Sequence, residues 1–250
     1  MNLEELLSYT ASDLLDDRTA LLDGDDDSLY SDASLVALFN QAQKILARRA
    51  WVIVEYGVAP AGTLVLATGK VLYPLHKSVL RIFDATPSTQ TSPLGRADDL
   101  DLRNPYPSGT DAFDLGEASA LAGVTITSPG APLAISTDAA TRTIRVAPAP
   151  STIQNGIVVS LKVARLPIQW LSLEDTQAEP EVPSDYHLDL CTYAAGKCLT
   201  RPNVDSNDKV TGREMLAEFD AVVREARRDR QRAENNGSRW GFSSITARIR

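Results

Sequence analysis

The chain has 250 residues, 43% of them apolar and 23% charged, with 33 acidic against 25 basic side chains and a formal net charge of -8. That length and apolar content suffice to bury a core without disulfides or metal, and the acidity argues against a dedicated nucleic-acid binder. No apolar run approaches the ~20 residues of a membrane-spanning helix, and the opening MNLEELLSYT is acidic and amphipathic, unlike a secretory signal.

In chain order, Asn2 is placed to cap a helix whose third position is Glu5, with Leu3, Leu6, Leu7, Ala11, Leu14 and Leu15 on its apolar face. An aspartate-rich loop, DGDDDSLYSD, follows. Ser31 is a natural cap for the next helix, in which Leu35, Leu38, Phe39, Ala42, Ile45 and Leu46 recur at helical spacing. Lys44, Arg48 and Arg49 occupy its second half, favourable near the negative end of the helix dipole.

From Trp51 the texture changes to short β-branched runs split by Gly and Pro: WVIVEYG, GTLVLATG, VLYPL, SVLRIFDA, GVTITSPG, PLAIST, RTIRVAPAP, GIVVSLKVARLP and IQWLSL. Alternation and turn spacing predict an antiparallel sandwich or barrel. Residues 86–115 show little periodicity and read as a long loop.

Residues 183–236 then predict two helices joined by a polar turn. Pro183 ends the preceding segment and Ser184 is placed as a cap; Tyr186, Leu190, Tyr193, Ala194, Lys197 and Cys198 return on one face. The linker RPNVDSNDKVTG is rich in turn-formers. The second helix carries Met215, Leu216, Phe219, Val222, Val223 and Ala226 on one stripe, and Asn235-Asn236-Gly237 predicts its left-handed stop. In the last residues Ile245, Ala247 and Ile249 alternate with Thr246, Arg248 and Arg250, the pattern of an extended strand able to add to another protein's sheet. The fold class expected is therefore α+β. Residues 1–50 and 174–236 form a helical bundle, 51–173 an inserted antiparallel β-sandwich or barrel, and 237–250 an extended C-terminal arm.

Candidate chemistry is sparse. Asp23, Asp25 and Asp27 match the first, third and fifth ligands of a calcium loop. Ser28 and Ser34 then stand where Gly and Glu are required, leaving a solvated acidic loop. His187 is two residues from Asp189 and so on a different helix face, and His76 has no second ligand nearby. Cys191 and Cys198 lie ~10 Å apart along one helix, too far for a disulfide, which points to a reducing cytoplasm. No P-loop, GxSxG, dinucleotide fingerprint or paired-cysteine zinc spacing occurs, and no catalytic residue, metal or cofactor is expected. Charge is segregated instead. Residues 1–32 carry ten acidic groups against Arg18 alone, while from Arg224 onward eight arginines outnumber Glu225, Asp229 and Glu234. Two solvated helix faces would explain this. So would a repeating assembly in which the basic end of one copy meets an acidic surface of the next.

Three stretches, LLSYTASDLLDD with SDASLVALFNQAQKILARR, GKVLYPLHKSVLRIFDA, and VPSDYHLDLCTYAAGKCL with the charged helix after it, resemble the head-to-tail adaptor (connector) proteins of tailed bacteriophages. The first includes the family's asparagine, here Asn40. The resemblance implies a structural, non-enzymatic virion protein made in the host cytoplasm. It implies a homo-oligomeric ring, typically of twelve copies, beneath the portal protein, continuing the DNA channel toward a downstream tail nozzle or fibre. Packaged DNA would pass without sequence-specific binding. The portal-binding residues expected in the arm are Trp240, Phe242, Ile245, Ile249, Arg248 and Arg250; Arg224, Arg227, Arg228, Arg230 and Arg232 are expected on a portal or subunit interface. The rival reading is a phage-tail β-sandwich recognising a cell-surface glycan, with Tyr106 and Phe113 as its aromatic candidates.

Overall fold

Asn2 starts the first helix, α1 (Leu3–Tyr9), through a reciprocal capping box: its Oδ1 accepts from the Glu5 amide at 2.9 Å, and Glu5 Oε2 accepts from the Asn2 amide at 3.1 Å. One π-type turn, Thr10–Leu14, continues it and closes with Leu15 N–H donating to Thr10 O at 3.1 Å. Ser31 caps α2 (Asp32–Ala50), which ends with Trp51 in the left-handed region at φ 55°. The computed structural model describes residues 1–15, 30–96, 130–138, 142–202 and 204–246, with backbone alone beyond residue 234.

Two further helices follow near the C-terminus: α3 (His187–Leu199), entered through a 3-10 turn at Ser184–Tyr186, and α4 (Ser206–Thr246). The apolar stripes of all four helices meet in one core that includes Leu3, Leu6, Phe39, Leu46, Leu190 and Phe219. Helices from the two ends of the chain therefore bury each other's faces.

Four sequence expectations give way here. Ser184 makes no side-chain cap; Tyr186 stands at the cap position of α3 without one. The second C-terminal helix begins at Ser206, inside the expected linker, and takes Gly212 into its body. Gly212 packs against α3. A Cβ built there would meet Leu199 Cβ at 2.9 Å and Gly196 O at 3.0 Å, and one on Gly196 would meet Gly212 O at 3.0 Å. The glycine is present for the crossing rather than for a turn.

The stop at Gly237 is also overridden, because α4 runs unbroken through Thr246. The 237–250 segment is thus not an extended arm over its described part; residues 247–250 lie outside the described residues. A glycine costs a helix only ~1 kcal/mol relative to alanine. A helix already nucleated by packing from residue 206 onward extends at one hydrogen bond per residue, so a lone stop signal does not end it. Finally IQWLSL is irregular, for a reason given below.

The crossing supports a stability prediction. Gly212→Ala gains ~1 kcal/mol of helix propensity, but its methyl enters space filled by backbone and a Cβ that cannot swing away, an overpacking cost of ~1–3 kcal/mol. A net loss is expected, read as a lower denaturation midpoint. An alanine variant more stable than the parent would show that the helices can part there freely.

The β residues form a separate compact unit, Val54–Arg165; the other unit comprises Met1–Ile53 and Leu166–Arg250. Among the described residues the β unit has two four-stranded sheets. In the first, β8 (Val158–Arg165) is central. β4 (Val79–Pro87) lies along one side, and short β1 (Val54–Tyr56) and β2 (Thr63–Val65) share the other, all antiparallel. Alternation along β8 puts Val159, Leu161 and Val163 inside. An ion pair between Arg165 and Glu55, both nearly buried, joins β8 to β1. The second sheet runs β3 (Leu72–Pro74), β7 (Thr143–Ala147), β6 (Ala134–Asp138), β5 (Gly95–Arg96). Its β5–β6 pair is parallel, a departure from the all-antiparallel expectation. Of GVTITSPG only Gly130 falls among the described residues.

Candidate functional site

Between β8 and α3 the chain forms an irregular strap, and two side-chain amides on α2, one half-buried and one buried, hold it. Asn40 grips Leu171 at both backbone atoms: its Nδ2 donates to Leu171 O at 2.9 Å, and its Oδ1 accepts from Leu171 N–H at 3.0 Å. Gln43, one turn on and fully buried, accepts from the Glu181 amide at 3.1 Å. The Glu181 carboxylate in turn accepts from the Ile168 amide at 2.9 Å and from that of Gln169. Backbone groups that a strand would pair with a neighbour are satisfied here by side chains, so IQWLSL is not a strand. The strap also completes α1. Leu3 N–H donates to Ala178 O at 2.9 Å and Glu4 N–H to Thr176 O at 3.0 Å, pairing amides that a helix start leaves open.

His187 sits at the foot of this assembly, buried, with Nε2 3.1 Å from Val182 O and Nδ1 3.0 Å from the Met1 amino group. Burial, above all, lowers its pKa from the ordinary 6.5. The unfolded chain therefore takes up the proton first as pH falls. Stability is full above ~6.5 and declines as pH drops through the lower folded value. Thermal melts at pH 7.5 and pH 5 should differ more for the parent than for His187→Gln, which keeps a donor for Val182. Equal differences would remove His187 from the account. Burial also pushes the Cys191 and Cys198 thiols up to about 11, so both are poor nucleophiles.

The arginine-rich helix is anchored before it becomes polar all round. Phe219, Val223 and Ala226 bury its inner face. Arg227 Nη1 donates to the Arg49 carbonyl at 2.9 Å, satisfying an open acceptor at the end of α2, and its guanidinium stacks 4.6 Å from the centre of the Trp51 ring. Asp220 pairs with Arg49 at 2.6 Å. Arg230 pairs with Glu234 at 3.7 Å and Arg232 with Asp229 at 3.2 Å. Arg224 and Arg228 are exposed and make no ion pair among the described residues. Of the C-terminal candidates, Trp240, Phe242 and Ile245 fall on the helical backbone of α4. Arg248, Ile249 and Arg250 lie outside the described residues, as do Asp23, Asp25, Asp27, Tyr106 and Phe113. His76 bonds Ser78 Oγ at 2.8 Å in the turn before β4. Among the described residues no group of three His, Cys, Asp or Glu side chains is placed to hold a metal, and no helix is long and apolar enough to cross a membrane.

Comparison with known families decides what this architecture is. A family model described as the SU10 adaptor protein matches residues 1–241. The chain belongs to the SU10 adaptor protein family. The match takes in the helices at both ends and the β unit between them in sequence. It makes the chain a structural phage adaptor, part of a virion assembly that links to other head and tail proteins. No curated protein matches the chain. Within this adaptor, sequence reasoning picked out Asn40 through the family resemblance but missed its grip on the strap. The legible signal was a pair of amides, Asn40 and Gln43, three apart on an otherwise apolar face.

Proposed function

We propose that this adaptor forms a ring, of twelve copies in the simplest reading, between the portal protein at the capsid vertex and the downstream tail. The ring would continue the channel through which DNA is retained and then ejected. Family membership over residues 1–241 carries the reading. The layout of the helical unit supports it. The platform of helices from both chain ends includes one helix of 41 residues, ~61 Å at 1.5 Å per residue, and among the described residues its buried apolar stripe ends at Ala226.

In this reading the platform packs side by side in the ring and the β unit, a small sandwich, faces the next tail component. The C-terminal end of α4 and the residues that follow it in sequence engage the portal, with Trp240, Phe242, Ile245 and Ile249 as apolar anchors and Arg248 and Arg250 on acidic portal groups. Aromatic and arginine side chains are the usual carriers of interface energy. The chain is made in the host cytoplasm, in keeping with its two free thiols. An acidic bore would let DNA slide, since contacts that neutralise phosphates would retard it.

The test is removal of residues 241–250, with portal pull-down and negative-stain imaging of the parent and the truncated chain. The parent should decorate portal rings with defined symmetry. The shortened chain should keep its melting transition and lose portal binding. Retained binding would move the contact elsewhere; a parent that never joins portal rings would end the adaptor-ring reading.

A further inference from the structure

The two flanks of α4 carry opposite charge, and each is extended by a different neighbouring helix. At 100° per residue, Phe219, Val223 and Ala226 define the buried side, and Arg224 and Arg228 project from one shoulder of the outward side. That shoulder adjoins the end of α2, where Asp220 meets Arg49 and Arg227 covers Trp51, and Arg48 adds exposed positive charge.

The opposite shoulder carries Glu218, Glu225 and Asp229. It lies toward the 3-10 turn and first turn of α3, which carry Asp185 and Asp189. The groups there feel one another: Asp189 is held above the ordinary carboxylate range by burial and by Glu218, and Tyr186 is raised by burial, Asp185, Asp229, Asp189 and Glu225. Arg232 pairs with Asp229, while Glu218 and Glu225 make no ion pair among the described residues. One flank is thus mainly acidic and the other mainly basic. Asp220 and Arg232 each offset part of this charge, but Arg224, Arg228, Glu218 and Glu225 make no ion pair among the described residues.

We propose that the Arg224–Arg228 flank of one copy docks on the Glu218–Glu225 flank of the next, so that the occupant of each surface is a second copy of this chain. The proposal rests on the ring reading above and supplies its lateral contact. The complementary patches are different surfaces of one subunit, so the contact is head-to-tail. Such contacts repeat round a closed ring when the rotation fits and do not stop at a dimer. A nucleic acid would use the basic flank alone and leave the acidic one unexplained.

Charge reversal tests this directly. Arg224→Glu with Arg228→Glu makes a chain acidic on both flanks; Glu218→Arg with Glu225→Arg makes one basic on both. These exposed changes should leave the melting transition where the parent has it. If a reversed chain melts early, Arg224→Gln with Arg228→Gln replaces it, with the same expectation. Ring formation is read by sedimentation and negative stain at low salt, alone and on portal rings. Each reversed chain by itself should associate at least ~10-fold more weakly than the parent, since like charges then face each other. An equal mixture of the two should regain rings, because acidic and basic copies can alternate. Reversed chains that ring as the parent does would overturn the lateral contact and leave the ring reading standing, as would a mixture that stays dispersed. A parent that forms no ring under either condition would overturn both.

Discussion

Phe219→Ala is expected to lower the unfolding free energy of the helical unit by about 3–5 kcal/mol, the usual cost of truncating a buried aromatic. Phe219 is 2% exposed, and its ring packs on that of Tyr193 with centroids 4.8 Å apart and planes tilted by 51°. It lies on the one face of α4 that the core holds, beside Val223 and Ala226. Losing it removes transfer energy, opens a cavity and breaks the aromatic pair together. Against a typical total of ~5–15 kcal/mol this is a large fraction. The observable is intrinsic fluorescence in urea, because Trp51, Trp170 and Trp240 all belong to the helical unit's sequence. A midpoint shift with unchanged slope is expected. A loss below ~1 kcal/mol would show that the cavity collapses or that α4 is fastened elsewhere.

Asn40→Leu is expected to cost about 2–4 kcal/mol for a different reason. Leucine has the branching of asparagine and suits the apolar face, and the half-buried position leaves room for its larger methyl groups. The damage falls on Leu171, a residue 5% exposed whose N–H and C=O both lose their partner. A buried backbone group left unpaired costs ~1–3 kcal/mol, and here there are two. The strap should also loosen. Proteolysis at Glu174, Glu179 or Glu181 by a glutamate-specific protease should therefore accelerate in the variant under conditions where the parent resists. Asn40→Asp separates the two bonds, because it keeps the acceptor for Leu171 N–H and turns the donor into a carboxylate oxygen facing Leu171 O. If Asn40→Leu were neutral, the strap would be held by Gln43 and Glu181 without help from Asn40.

Local signals carried the α+β class. The Asn2–Glu5 box and the Ser31 cap act within four residues of the chain, so sequence spacing alone locates α1 and α2. The same holds for the Leu190–Tyr193–Ala194 and Phe219–Val223–Ala226 stripes, and for alternation in β8 and β7. Charge segregation was also legible as composition, but its pairing was not. Asp185 and Asp189 precede Glu218 by about thirty residues, and only the packing of α3 on α4 puts them on one flank.

What the chain's order of residues determined by itself is where helices and strands begin and which side of each is apolar, because caps and periodicities are short-range. The path of the strap and the reach of α4 were decided by tertiary structure. Leu171 declines a strand because Asn40, 131 residues earlier, takes both its backbone groups. Gly212 sits in a helix because Gly196 leaves room for the crossing, and Gly237 fails to end α4 because a local stop worth ~1 kcal/mol does not outweigh the propagation of a helix already nucleated by the core.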